Sequence, residues 1–326
     1  MNSRRKKKYI VIIWLILLIA VFGVIVALDV LKHKEKESDQ DIPSQVDRDV
    51  VYYNGQEYKY NYDLKNILFM GIDNNTEMEQ QNPLGQGGQA DCIILISMDK
   101  NKKTTTMLQI SRDSMTEVDI YDMNGNYHTS VQAQIATQYA YGNSPKNSCW
   151  AMKKTVSEFL YELPIDGYVA MDIAAVSRIN DLLGGVKITV PEDYTSVDAA
   201  FVKGATLTLN GEQAEKYVRY RDTAITGDNV FRMRRQMQYI PALLDTFRSK
   251  TKNSEKEMER LYTEVSPYVM TDLSLEELTK MSQYAWDKDN VEYVEGQIVA
   301  GEEFEELHVD DEKLQGQIIK MFYKLK

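Results

Sequence analysis

The sequence predicts an α/β domain, a central mixed β-sheet sandwiched by helices (αβα), preceded by one N-terminal transmembrane helix. Three observations carry this. Runs at 66–70, 92–98 and 104–110 are short, β-branched or apolar, and closed by turn or charged residues, as strands buried on both faces are. Helical spacing follows and alternates with further strand-like runs, which specifies a sheet covered by helices. Finally, residues 9–31 carry no charge for 20 positions before Asp29, enough to cross a hydrocarbon core of about 30 Å.

In chain order, Arg4, Arg5, Lys6, Lys7 and Lys8 precede the apolar span, and basic flanks stay on the cytoplasmic side. Residues 1–8 are therefore expected inside the cell and the remainder outside, on a single-pass anchor in the cell membrane. No small-x-small cleavage site follows the span, as a removable signal would require. Residues 32–61 are charged and weakly periodic and read as a stalk; 62–326 read as one extracellular domain. Within it, 130–141 and 146–161 show helical spacing. A strand is expected at 168–171 and a helix over 173–183, stopped by Gly184 and Gly185 before the strand VKITVP. Asn210 with Gln213 forms a capping box for a helix ending near Tyr217. The next helix, 230–250, contains Pro241, which should kink it or break its hydrogen-bond ladder. Ser274 with Glu277 is a second capping box, and Asp310 or Asp311 caps a last helix running to about Lys324.

The formal charge is -11, and setting aside the five positives of 4–8 leaves -16 on the rest, which excludes nucleic acid as a partner. Three histidines and two distant cysteines supply no zinc-ligand spacing, so any metal should be a hard cation on oxygen ligands. Cys92 and Cys149 would both lie outside the cell, where a disulfide is permitted; Cys92 also opens an apolar run, where a free thiol packs as a small hydrophobe.

Against the acidic background stands a cluster of Arg219, Arg221, Asp228, Arg232, Arg234, Arg235 and Gln236. The arginine fork matches phosphate oxygens two at a time and stays charged at physiological pH; a solvated salt-bridge face is the bland alternative. Upstream, Asp73 sits past the carboxyl end of one strand and Asp91 at the start of the next, across the loop 84–88. Two such carboxylates can share one Mg²⁺ with phosphate and water. Arg112 ends a third strand with Asp113 beside it to hold its guanidinium. Acid, acid, arginine and a late arginine cluster make a constellation for a metal-bridged pyrophosphate, where catalysis is positioning and charge stabilisation. No G-x-S-x-G, S-x-x-K or Cys-His nucleophile is evident, which favours direct transfer to an acceptor hydroxyl.

The series NILFMGID, QADCIILISMD, ISRDS, DGYVAMDIAAVSRINDLLGGVKITVP, LNGEQAEKYVRYRD and RMRRQ resembles the LytR-CpsA-Psr family of Gram-positive bacteria, in matching order over about 62–250. The resemblance implies an extracytoplasmic αβα domain that transfers a glycopolymer phosphate from a polyprenyl-pyrophosphate carrier to a peptidoglycan hydroxyl, attaching teichoic acid or capsule polysaccharide. It implies Asp73 and Asp91 as Mg²⁺ carboxylates, and Arg112, Arg219 and Arg221 as pyrophosphate ligands. Arg232 and Gln236 fall in the R-x-x-R-Q motif that closes the site, with Arg235 among the cofactor-binding arginines. The chain departs from the family pattern at several points. Asn74–Asn75 and Gln89 stand where arginines are usual, and Ser111 where a proline precedes the arginine. One extra residue before Arg232 leaves Asp228 and Asn229 competing for the acidic position. Hydrolysis of the lipid pyrophosphate, or a non-catalytic wall-binding scaffold, are the alternative functions.

Overall fold

A computed structural model describes residues 50–73, 85–222, 225–251, 254–281, 284–301 and 304–326. The basic tail 1–8, the apolar span 9–31, most of the expected stalk, and Asn74, Asn75 and Leu84 lie outside the described residues. Among those described, no helix is long and apolar enough to cross a membrane. The chain divides into Met1–Val51 and one compact body, Tyr52–Lys326.

The body is built on β3 (Leu64–Ile72), β4 (Ala90–Asp99) and β5 (Thr104–Ile110), which cover the three runs picked out by their apolar texture. With β8 (Gly167–Asp172), β11 (Val269–Thr271) and β12 (Ala285–Tyr293) they form a six-stranded sheet of order β11-β8-β3-β4-β5-β12. It is mixed: β3 runs parallel to β8 and β5 to β12, and the other pairs are antiparallel.

Side-chain alternation splits the sheet's residues between two layers. Leu68, Met70 and Ile72 pack on one face with Tyr139, with Met152 and Val156 of α1 (Pro145–Phe159), and with Ile318 and Phe322 of the C-terminal helix. Ile67, Cys92, Ile94 and Ile96 pack on the other with Met237 and Ile240. Cys149 belongs to the first cluster and Cys92 to the second; both are free thiols, buried and separated by the sheet, and burial pushes each thiol up to about 12. A further cluster joins α2 (Ile173–Leu182), α3 (Gly211–Arg219), α4 (Asp228–Thr251) and α5 (Glu255–Val265) over the hairpin of β9 (Val186–Thr189) and β10 (Thr206–Leu209).

Local signals held where they were local. The Asn210–Gln213 capping box starts α3. Ser274 and Glu277 bond reciprocally before α6 (Leu275–Met281), and Asp310 caps α7 (Asp311–Phe322). α4 passes through Pro241 without ending there. Its missing N–H removes one ladder bond, while Met237, Tyr239, Ile240 and Leu243 anchor both sides of the proline in buried contacts.

Two expectations are corrected. Residues 127–134 are a strand, β7, paired with β6 (Met115–Tyr121), and a 3-10 helix occupies only Ile135–Tyr141. The ribbon lets Gln138 donate to Asp119 O and accept from Asp119 N, contacts that no reading of period along 130–141 contains. The end of the expected stalk is folded: β2 (Gln56–Tyr60) pairs with β15 (Tyr323–Leu325), and Tyr60 is buried against Tyr323.

Candidate active site

The site begins with an irregularity in the sheet. Gly71 pairs with Cys92 and Ile72 with Ala90, so Asp91 is the extra residue of a bulge. A bulge re-aims the side chain it inserts, and here Asp91 joins Cys92 in lining the helix-covered side of the sheet. Gly71 is part of the device, because a Cβ there would stand 3.0 Å from the Cys92 Cβ.

Asp91 accepts from two guanidiniums, Arg112 through one oxygen and Arg232 Nη1 at 2.8 Å through the other. Arg112 also donates to Gln89, so the residue at a position where the family pattern has arginine here orients one instead. Asp113 lies 3.4 Å from Arg112 Nε, as the sequence suggested. Arg232 is 4% exposed. Its Nε and Nη2 donate to Asn229 Oδ1 at 3.1 and 2.7 Å, and Asn229 Nδ2 donates to Asp113 and Ser111 at 2.7 and 3.1 Å. Burial pulls the Arg232 pKa down, opposed by Asp91. Burial pushes the Asp113 carboxyl up, opposed by Arg112, Arg221 and Arg232.

Asp73 follows β3 and is tied by its N–H to the Gln89 carbonyl at 2.9 Å, two residues before Asp91. Its carboxylate accepts from Arg219 at 3.0 Å, a pair about 40% exposed on both sides. Arg219 also bonds Glu215 one turn back, whereas Arg221 turns to Glu305, 3.3 Å away.

Several sequence expectations change here. Arg219 is the last residue of α3, Tyr220 (φ -54, ψ 136) breaks the helix, and the two arginines reach different carboxylates. Asp228 is buried at the start of α4, and its carboxylate accepts from Asp222 N at 2.7 Å. Asn229 takes the inward position instead. Arg235 is buried and donates to the carbonyls of Tyr217 (2.8 Å) and Tyr220, with its guanidinium 4.9 Å over the Tyr194 ring. It caps the carboxyl end of α3, the helix that ends at Arg219, as a cation does at the negative end of a helix. Gln236 ties α4 to Val218 O at 3.2 Å and to Gln109 at 3.1 Å. Arg234 is exposed, 5.9 Å over Phe231.

A cavity of about 800 Å³ opens against this cluster. Its lining is apolar, with Phe69, Val169, Ile179, Leu243, Phe247 and Leu261 among its walls, and Asp91 is its one charged residue among those described. Along α4 the lining runs from Gln236 to Phe247, about 16 Å at helical rise. Sequence could not find it, because a packed helix face and a cavity wall carry the same residues.

For a cation, the donor set is two carboxylates at adjacent strand ends, and no group of three or more His, Cys, Asp or Glu gathers among the described residues. Asp73 and Asp91 are the carboxylates that would hold a Mg²⁺, whose shell takes one or two protein carboxylates with phosphate and water. The arginines are balanced internally, Arg112 and Arg232 by Asp91 and Asp113, Arg219 by Asp73 and Arg221 by Glu305. A polyanion meeting this site therefore meets little free positive charge until the carboxylates are engaged elsewhere.

Comparison with known proteins supplies the last observations. A family model described as the LytR_cpsA_psr family matches residues 24–319. The polyisoprenyl-teichoic acid–peptidoglycan teichoic acid transferase TagV of Bacillus subtilis (strain 168) is 29% identical over 223 residues, 67% of this chain and 52% of that protein. TagU of the same strain, which carries the same transferase name, is 27% identical over 247 residues, 75% of this chain and 72% of that protein. The chain spans about half the length of TagV and of the Bacillus licheniformis TagU. Among solved structures, B. subtilis TagV superposes with a TM-score of 0.59 at 26% identity, over 80% of this chain and 97% of that one. TagT bound to LIIa-WTA superposes with a TM-score of 0.56 at 23% identity, over 79% and 89%, a likeness of fold.

Proposed function

The chain belongs to the LytR_cpsA_psr family, and from that premise we propose that it is a membrane-anchored, Mg²⁺-dependent phosphotransferase of cell-wall glycopolymer assembly. Its donor is a polyprenyl-pyrophosphate-linked glycopolymer and its acceptor a peptidoglycan hydroxyl. The transferase names of its relatives support the reaction class. The observation that carries the reading is the apolar cavity whose one charged lining residue among those described, Asp91, belongs to the arginine cluster.

The prenyl chain lies along α4 in the cavity, and its pyrophosphate reaches Arg112, Arg219, Arg221 and Arg232. The acceptor oxygen bonds to the phosphorus that carries the glycopolymer, the bridging P–O bond breaks, and polyprenyl monophosphate leaves while the hydroxyl proton passes to water. Arginine forks hold the equatorial oxygens and offset the charge that builds on the leaving phosphate. Mg²⁺ on Asp73 and Asp91 would neutralise phosphate charge. Engaging those carboxylates would free donors of Arg112, Arg219 and Arg232 for the ligand. Residues 9–31 hold the site within reach of its lipid donor.

The test is a purified membrane fraction of the full chain, extracted for bound lipid and then assayed with prenyl-diphosphate-linked glycan, peptidoglycan oligomers and Mg²⁺. Co-purifying polyprenyl phosphate and covalent glycan on the peptidoglycan support the reading. Release of free glycan phosphate with none on the acceptor would make the protein a hydrolase. Lipid binding without either product would leave a scaffold.

A further inference from the structure

No candidate site residue stands out in the sequence beyond Gln236, yet an acidic side chain near the end of the chain reaches Arg221. β13 (Gly296–Ala300) and β14 (Glu305–Val309) form an antiparallel hairpin. Its second strand is fastened to the strand end that carries Arg112 and Asp113. Leu307 N donates to Asp113 O at 2.8 Å, and Leu307 bridges Ser114. Gln134 Nε2 donates both to Glu305 O, at 2.7 Å, and to Asp113 Oδ1, at 3.2 Å. Held this way, the Glu305 carboxylate points inward: Oε1 accepts from Gly227 N at 2.8 Å and Oε2 from Arg221 Nη2 at 3.3 Å.

We propose that Glu305 is a positioning residue of the arginine clamp, and that the C-terminal hairpin is thereby a wall of the active site. The inference rests on the diphosphate reading above. Arg221 lies on no helix or strand, and its long side chain has rotamer freedom to lose before it can grip anything. Glu305 takes one of its five donors, which fixes the plane of the fork and leaves the others for phosphate oxygens. Arg221 Nε is buried with no hydrogen-bond partner among the described residues, so nothing else described locks that plane. The second oxygen holds the amide of Gly227, whose left-handed backbone (φ +78) makes the turn into α4, the helix of Asn229 and Arg232. A carboxylate there also suits the positive end of that helix. One side chain thus sets two of the clamp's supports, an arrangement an exposed ion pair does not reach; the Arg221 and Glu305 side chains are 25% and 19% exposed.

The experiment is a double-mutant cycle on the full chain. Affinity for farnesyl diphosphate with Mg²⁺ is measured by calorimetry for wild type, Glu305→Ala, Glu305→Gln, Arg221→Lys and the Arg221→Lys/Glu305→Ala pair, with melting temperatures alongside. Glu305→Ala should weaken binding about tenfold in the wild-type background and by about threefold or less in the Arg221→Lys background, where only its hold on the Gly227 amide remains to be lost. Glu305→Gln should fall between, because one amide oxygen serves only one of the two donors. If the alanine variant loses its cooperative melt, the near-isosteric Glu305→Gln carries the same cycle. Equal losses in both backgrounds, no loss, or tighter binding would overturn the inference while leaving the diphosphate reading intact. No binding by wild type would overturn that reading and the inference with it.

Discussion

Asp73→Asn and Asp91→Asn make the same chemical change at two carboxylates that the structure places very differently. The Asp73 pair with Arg219 is about 40% exposed, so its loss should cost less than about 0.5 kcal/mol. Asp91 balances two guanidiniums, one of them on the buried Arg232. An amide keeps one acceptor oxygen and presents an NH₂ to the second guanidinium, donor against donor. The loss is then one charge-assisted bond in a buried setting, about 1.5–3 kcal/mol. It falls short of the ~3–5 kcal/mol of a fully orphaned buried charge because Asn229 still holds Arg232 with two bonds. In a domain of this size each kcal/mol moves Tm by about 2–4 °C, so Asp91→Asn should melt roughly 4–10 °C lower and Asp73→Asn within about 2 °C of wild type. Both should lose Mg²⁺-dependent transfer. Urea denaturation gives the free-energy difference and a glycan-transfer assay gives the activity. Equal melting of the two variants would refute the placement of Asp91 between two arginines, and normal transfer by either would remove it from the metal site.

Three further outcomes follow from particular contacts. Arg235→Lys keeps the charge but loses the fork that serves the Tyr217 and Tyr220 carbonyls, so stability should drop by about 1–2 kcal/mol while transfer per folded molecule holds; a loss confined to activity would make Arg235 a ligand residue after all. Leu243→Trp places an indole in the cavity and should weaken farnesyl diphosphate binding at least about fivefold with little change in Tm, an effect absent if the prenyl chain lies elsewhere. Glu277 is held down to about 2 from 4.5, first by its bond from Lys65 and then by Ser274, so its stabilisation is present above pH 4.5 and disappears as pH falls toward 2. Glu277→Gln should therefore melt below wild type at pH 7, with the gap closing between pH 4.5 and about 2; a gap independent of pH would mean that charge is not its source.

What could be read from sequence was what depends on near neighbours or on burial of both faces. The three central strands declare themselves because Leu68 and Ile67 must each meet an apolar layer, which leaves no polar face to confuse the period. The capping boxes at Asn210 and Ser274 are closed within four residues and need nothing else. The ribbon β6–β7 hid because Tyr127–Gln134 is largely exposed, and a mostly polar strand carries no apolar alternation to detect. Glu305 had no signal at all, since its partners lie 84 and 78 positions away.

The sequence alone determined which residue types were available: carboxylates at two strand ends, an arginine at a third, and an arginine cluster in an acidic chain, in the order shared with one family. Tertiary structure decided where each points. The bulge at Asp91, the contact of Asn229 with Asp113 and Ser111, the separate carboxylates that Arg219 and Arg221 reach, and the carbonyls that claim Arg235 follow from partners outside each residue's own segment. The direction of a long charged side chain is set by whichever opposite charge or unsatisfied carbonyl the fold brings within about 3 Å, and residue order along the chain does not encode that distance.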